Sequence, residues 1–298
     1  MTTSYLAALG AALCWSVGGL IALGPVRALG SLSFNRLRMV VVFAILVAVS
    51  AALGGWRSLL PEHLVGLALS GAVGILIGDT LLFQGLRMLG PSRNAVVYAT
   101  AAPITALLGW LLLGEGLGPL GVAGIALCTG GVMMAVVFAR RPDAGAHEME
   151  RVHGSLLVGV GFAFGAACCQ AVGTILAKPV MAAGVDPVAA SAVRVGVAGA
   201  GLLLTGFLPG RRAGLLTGVT PRLLGLVALN GVLGMGVGMT LVLAALVQGN
   251  PGIVSTLSST TPVMILPLLW AHTGRAPSPG AWFGAAVTVA GIALIFGR

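Results

Sequence analysis

Charged side chains are scarce in this sequence. They make up 8% of its 298 residues, with seven carboxylates in all and Lys178 as the sole lysine. A soluble domain carries about 25%, so a water-facing globule is excluded. The four cysteines, Cys14, Cys128, Cys168 and Cys169, lie inside apolar runs without CxxC spacing, which excludes a zinc knuckle or a secreted disulfide framework. His63, His147, His153 and His272 have no ligand spacing and fall in expected loops or interfaces, so no metal or other cofactor is expected. Neither GxSxG nor HExxH occurs, and no span holds paired acids, so no catalytic residues are assigned. The net charge of +9 comes from arginines scattered between apolar segments, without the basic stripe that nucleic acid requires.

What the sequence has instead is apolar material, 58% of its residues, in runs of repeated length. A bilayer's hydrocarbon is about 30 Å thick and takes roughly 20 apolar residues of helix to cross. Ten such spans are expected near 4–23, 34–54, 62–86, 93–113, 117–139, 154–177, 187–208, 221–246, 252–271 and 278–297. The first lacks a basic leader and runs straight into further apolar segments, so it reads as a retained span. The abundance of Arg over Lys, with much Gly, Ala, Val and Leu, points to G+C-rich coding and a prokaryotic host.

The chain repeats itself. At an offset of 154, Ala12, Cys14, Gly19, Ile21, Pro25 and Val26 meet Ala166, Cys168, Gly173, Ile175, Pro179 and Val180. At 160, Gly74, Gly78, Thr80, Leu81, Leu86 and Pro91 meet Gly234, Gly238, Thr240, Leu241, Leu246 and Pro251. Pro103 then pairs with Pro262, and Gly121 with Gly280. The expectation is a first five-helix repeat over 1–139, a polar linker at 140–153 and a second repeat over 154–298. Five is odd, so the second repeat enters the membrane from the opposite face. The fold class expected is an all-α membrane protein of two inverted five-helix repeats around a central cavity.

Particular residues carry a resemblance as well. Gly78-Asp79-Thr80-Leu81-Leu82-Phe83-Gln84-Gly85-Leu86, then Gly90-Pro91-Ser92-Arg93, Ala102-Pro103 and Leu112-Leu113-Gly114-Glu115, with Cys14-Trp15-Ser16 in the first span, resemble the EamA-type drug/metabolite transporter superfamily. The resemblance implies ten helices around a cavity and export of amino acids, other metabolites or toxic compounds without ATP. The second half departs from the pattern at Gly274-Arg275, near where the first has Gly114-Glu115, and at Met239, opposite Asp79. With aromatics at 5% and Ala167-Cys168-Cys169-Gln170 in the sixth span, an aromatic-amino-acid specialist is disfavoured. The expected partners are a small-molecule substrate and the bilayer, with coupling to protons or to the substrate's own gradient. An intramembrane enzyme and a channel or structural protein are the rival readings.

Asp79 is the only carboxylate well inside a span, where a charge costs about 2.5–3.5 kcal/mol on insertion scales. It reads as a proton- or cation-coupling group, or as a carboxylate paired with a nearby arginine. Asn94, Tyr98 and Pro103 in the fourth span, with Thr100 and Thr105, match Ser255, Ser258, Ser259 and Pro262 in the ninth as polar stripes. They line a cavity or satisfy carbonyls freed by the prolines. Trp15, Gln84, Gln170 and Asn230 complete the cavity candidates. Arg36, Arg38 and Arg194 start the second and seventh spans; snorkelling to the interface is the simplest reading, and anion contact by Arg38 and Arg194 the alternative. Glu115 reads as a helix-terminus acid.

Ten spans put both termini on one side of the membrane, and the resemblance implies the cytoplasm of a prokaryotic inner membrane. The basic residues favour the other orientation. Arg57, Lys178 and Arg298 lie on the terminus side, against Arg27, Arg87, Arg93, Arg140, Arg141, Arg151, Arg211, Arg212, Arg222 and Arg275 opposite. The family's topology is taken as the expectation.

Overall fold

Backbone N–H and C=O groups find no water in hydrocarbon, so a sequence this apolar can bury itself in a bilayer only as helices or a closed barrel. The computed structural model describes residues 2–89, 91–138, 155–205, 219–273 and 276–296, and among these there is no strand. The expected linker, Arg211-Arg212 and Gly274-Arg275 lie outside the described residues.

The spans are α1 (Thr2–Leu29), α2 (Ser31–Leu53), α3 (Pro61–Leu86), α4 (Asn94–Leu113), α5 (Pro119–Phe138), α6 (Leu156–Ala182), α7 (Pro187–Leu204), α8 (Pro221–Gln248), α9 (Pro251–Ser258 with Thr261–Thr273) and α10 (Pro279–Phe296). Nine stretches among the described residues are long and apolar enough to cross a membrane; α9, in two pieces, supplies the tenth span. Prolines at N1 start α3, α7, α8 and the first piece of α9, where a missing N–H costs nothing. Asp186, Thr220 and Asn250 cap three of these by accepting from the first free N–H groups. His63, read as a surface residue in the sequence, is buried instead, and its Nδ1 accepts from Leu60 N at the start of α3. Leucines, valines, Trp110 and Phe283 point outward, as lipid contact demands.

The two halves interlock. α3 lies along α6 and α7, while its counterpart α8 lies along α1 and α2. Gly71 sits against the Arg194 backbone, and its counterpart Gly231 against Val42 and Arg38. Likewise Ser70 Oγ donates to Gly173 O at 2.5 Å, and Asn230 Nδ2 to Gly18 O at 2.7 Å. The tightest seam joins α5 to α10. A Cβ on Gly131 would lie 2.8 Å from Gly284 O, and one on Gly291 2.8 Å from Gly124 O, so only glycine permits this approach. On the terminus side, Tyr5, Ala8, Leu67, Met181, Leu246, Ile253 and Leu257 pack into the largest apolar core.

Substitution tests the seam. Gly131→Val forces α5 from α10 and should cost about 1–3 kcal/mol, read as a lower Tm in detergent. Gly130→Ala on the same helix, whose Cβ would meet nothing within 4 Å, should leave Tm unchanged or raise it.

Candidate functional site

Two pairs of irregular helices build the site. Pro103 and Pro262 lack an N–H and crowd the carbonyl four residues back. Helix accordingly stops at Tyr98 and Ser258 and resumes at Ala101 and Thr261. Hydroxyls absorb part of the disruption: Thr100 Oγ1 donates to Val97 O and Thr260 Oγ1 to Leu257 O, each at 2.7 Å, and Thr261 Oγ1 to Ser258 O at 3.2 Å. α3 and α8 each widen into a π-helical stretch, Ala72–Ile77 and Val232–Gly238. Such stretches recur at functional sites because they turn side chains off the regular helical phase. Trp15 Nε1 donates to Gly234 O, inside the second stretch, at 2.8 Å.

Between these helices lies a cavity of about 310 Å³, at the small end of ligand pockets. Its wall takes Trp15 from α1, Arg38 from α2, Asp79, Leu82 and Phe83 from α3, and Ala95, Tyr98 and Ala99 from α4. Val132 and Gln170 add α5 and α6; Gly234, Met235 and Met239 add α8; Ser255, Ser258, Ser259, Thr261 and Pro262 add α9. At 1.5 Å rise per residue, Asp79, Leu82, Phe83 and Ala95 lie past the midpoints of their spans toward the linker side. The opposite end is stopped by Pro251–Ser258, every residue of which is buried.

One ion pair sits in the wall: Arg38 Nη2 lies 3.3 Å from Asp79 Oδ2 and donates to Asn35 Oδ1 at 2.7 Å. The guanidinium carbon stands 5.6 Å from the Phe34 ring centroid, a cation–π distance. A buried pair of this kind holds only while both partners remain, because either charge alone is costly in the interior.

Of the residues singled out in the sequence, Trp15, Arg38, Asp79, Tyr98, Gln170, Ser255, Ser258, Ser259 and Pro262 are brought together in this wall. Others lie elsewhere. Gln84, five residues beyond Asp79, is rotated off the face that carries Leu82 and Phe83. Asn94 is buried against Gly85, and Thr100 serves the backbone. Asn230 holds Gly18 O. Pro103 lines a separate apolar groove of about 580 Å³ with Leu107, Trp110 and Val122. Arg194 is 2% exposed, with Nη1 donating to Met239 Sδ at 3.2 Å. Snorkelling is therefore corrected for all three arginines, since Arg36 too is buried, its Nε donating to Leu202 O and Nη2 to Thr205 Oγ1.

A second polar cluster escaped sequence reading. Lys178 Nζ donates to Leu246 O at 3.0 Å and Gly249 O at 2.9 Å, and lies 3.2 Å from Glu115 Oε1. Asn250 Nδ2 donates to Glu115 Oε2 at 3.2 Å. Glu115 thus ties the α4–α5 junction to the α8–α9 junction through α6. The available signal was a single lysine placed inside an apolar run.

Comparison with known proteins agrees with this architecture. The model of the EamA-like transporter family matches residues 2–137 and again residues 157–297. No curated protein matches the sequence. One crystal structure, described only as that of a protein, is similar over 99% of this chain and 96% of its own, with a TM-score of 0.80 at 20% identity, which speaks to fold alone. With each half matched in turn, the chain belongs to the EamA-like transporter family and is a multi-pass membrane transporter of the drug/metabolite type.

Proposed function

We propose that this transporter is a secondary carrier that exports small metabolites, of the size of amino acids, across a prokaryotic cytoplasmic membrane by alternating access, with both termini in the cytoplasm. The observation that carries the reading is a cavity between inverted repeats that is stopped on the terminus side by the buried piece Pro251–Ser258. In an inverted repeat, exchange of access is exchange of conformation between the halves. The piece Pro251–Ser258, buried here, takes the setting of its counterpart in the first half, where Ala95–Tyr98 are only half-buried, and the reverse.

Lys178, Glu115 and Asn250 act as the latch of the stopped side. Their repeat counterparts are Gly24, Arg275 and Gly90, so the other side has no equivalent set. The latch biases the carrier toward the linker-facing state. Asp79 and Arg38, in the wall, contact the solute or the coupling proton.

Saturable counterflow of labelled metabolites in proteoliposomes, with and without a pH gradient, tests the carrier. Asp79→Asn should abolish flux or remove its pH dependence; flux linear in concentration would point to a channel and sink the proposal. For the latch, Ile253→Cys in a background without native cysteines is buried and should resist a membrane-impermeant maleimide. Adding Glu115→Gln should expose it from the terminus side, and unchanged labelling counts against a latch. Cysteines placed at Thr3 and Gly145 fix orientation; cytoplasmic labelling at Gly145 would reverse it.

A further inference from the structure

Among the described residues, the buried cations of the membrane core each have a carboxylate or a pair of hydrogen-bond acceptors, with one exception. Arg36 donates to Leu202 O and Thr205 Oγ1 at the end of α7, Lys178 faces Glu115 and Arg38 faces Asp79. Arg194 has no carboxylate within ion-pair distance among the described residues, and Asp79 acts on it only through the field it shares with Arg38; its Nε has no hydrogen-bond partner, and the hydrogen bond described for its guanidinium goes to the thioether of Met239. An isolated guanidinium in a low-dielectric interior is costly, and ionisable groups at such depth mark substrate or ion paths.

The repeat explains where that charge is used. Arg194 is the counterpart of Arg38, and Met239 that of Asp79; each arginine packs over the matching glycine of the other half, Gly71 or Gly231. With the cavity reaching toward the linker side, Arg38 is in the wall while Arg194 stands behind Met239. When the halves exchange conformations, Arg194 takes the position in the wall that Arg38 holds now. It arrives there without the carboxylate that neutralises Arg38.

Resting on the carrier reading above, we propose that the transported solute is a small organic anion carrying a carboxylate, and that Arg194 is its counter-ion when access is on the terminus side. Arg38, Arg194 and Asp79 sum to one excess positive charge, which a monoanion balances and a zwitterion does not. The planar guanidinium suits a carboxylate, donating to it through two parallel hydrogen bonds. Met239 covers the site in the absence of solute and leaves Arg194 without a permanent partner. A permanent carboxylate there would compete with the cargo.

The purified full chain in proteoliposomes, given labelled glutamate and lactate as monoanions, alanine as zwitterion and choline as cation, tests the assignment. Saturable flux is expected for at least one of the two anions and for neither alanine nor choline. Arg194→Met should raise the half-saturating anion concentration by about tenfold or more, as loss of a charge-assisted contact does, and Arg194→Lys should recover part of it. Because Arg194→Met leaves a cavity of altered polarity, Met239→Asp provides the second variant. It rebuilds the first half's ion pair and should fold with an undiminished Tm in detergent, while losing anion flux and the rise in Tm that the anion gives the native chain. Saturable alanine or choline flux without anion flux keeps the carrier and overturns the anion. Undiminished anion flux in Met239→Asp overturns the role of Arg194. No saturable flux and no thermal shift with any of the four solutes overturns both proposals.

Discussion

Every carbonyl and N–H released by a break in a membrane helix has to be met inside the protein, because lipid offers nothing in exchange for water. This one constraint organises the molecule. Among the described residues, helical breaks and π-helical stretches fall in α3, α4, α8 and α9, spans that line the cavity, and hydroxyls and an indole reach the carbonyls there: Thr100, Thr260, Thr261 and Trp15. Elsewhere the helices stay regular and pack through small residues. The polar interior needed for transport and the polar repairs needed for stability are therefore the same region, and several side chains that look free to bind solute are already committed to backbone.

Symmetry then explains both what is shared and what differs. Ser70 and Asn230 each reach a glycine carbonyl of the facing helix, one position apart in the repeat, and Gly71 and Gly231 admit equivalent arginines. Against that common frame two departures stand out, Asp79 opposite Met239 and Lys178 opposite Gly24. Both make one side of the membrane electrically unlike the other. Perfect inverted symmetry would make the two faces alike in affinity and in resting preference; such departures allow them to differ.

Much of the architecture was legible in the sequence because it rests on length and periodicity. Ten apolar runs, the two repeat offsets and the odd number of spans per half required no tertiary information. The site was legible only in part. Asp79 declared itself as a lone carboxylate in an apolar run, and the serines of α9 by their helical spacing. Thr100 and Asn230 could not be told from cavity residues, because a hydroxyl or amide that repairs backbone is spelled like one that binds solute. Arg38 and Arg194 looked like interfacial arginines because they follow short helix starts; the glycines they pack against, Gly231 and Gly71, lie in the other half, more than a hundred positions away in sequence. The set of Lys178, Glu115 and Asn250 is assembled from both halves, so no local window contains it.

The glycine seam between α5 and α10 is self-complementary: Gly131 meets Gly284 just as Gly291 meets Gly124, with Cys128 and Thr288 between them. A surface that fits its own rotated copy is the mark of an isologous contact between identical subunits. Within one polypeptide the same contact needs no encounter between separate molecules, so it does not depend on concentration. Because the two faces belong to one chain, a change on one side, such as Asp79 or Lys178, is not forced onto the other, as it would be between identical subunits.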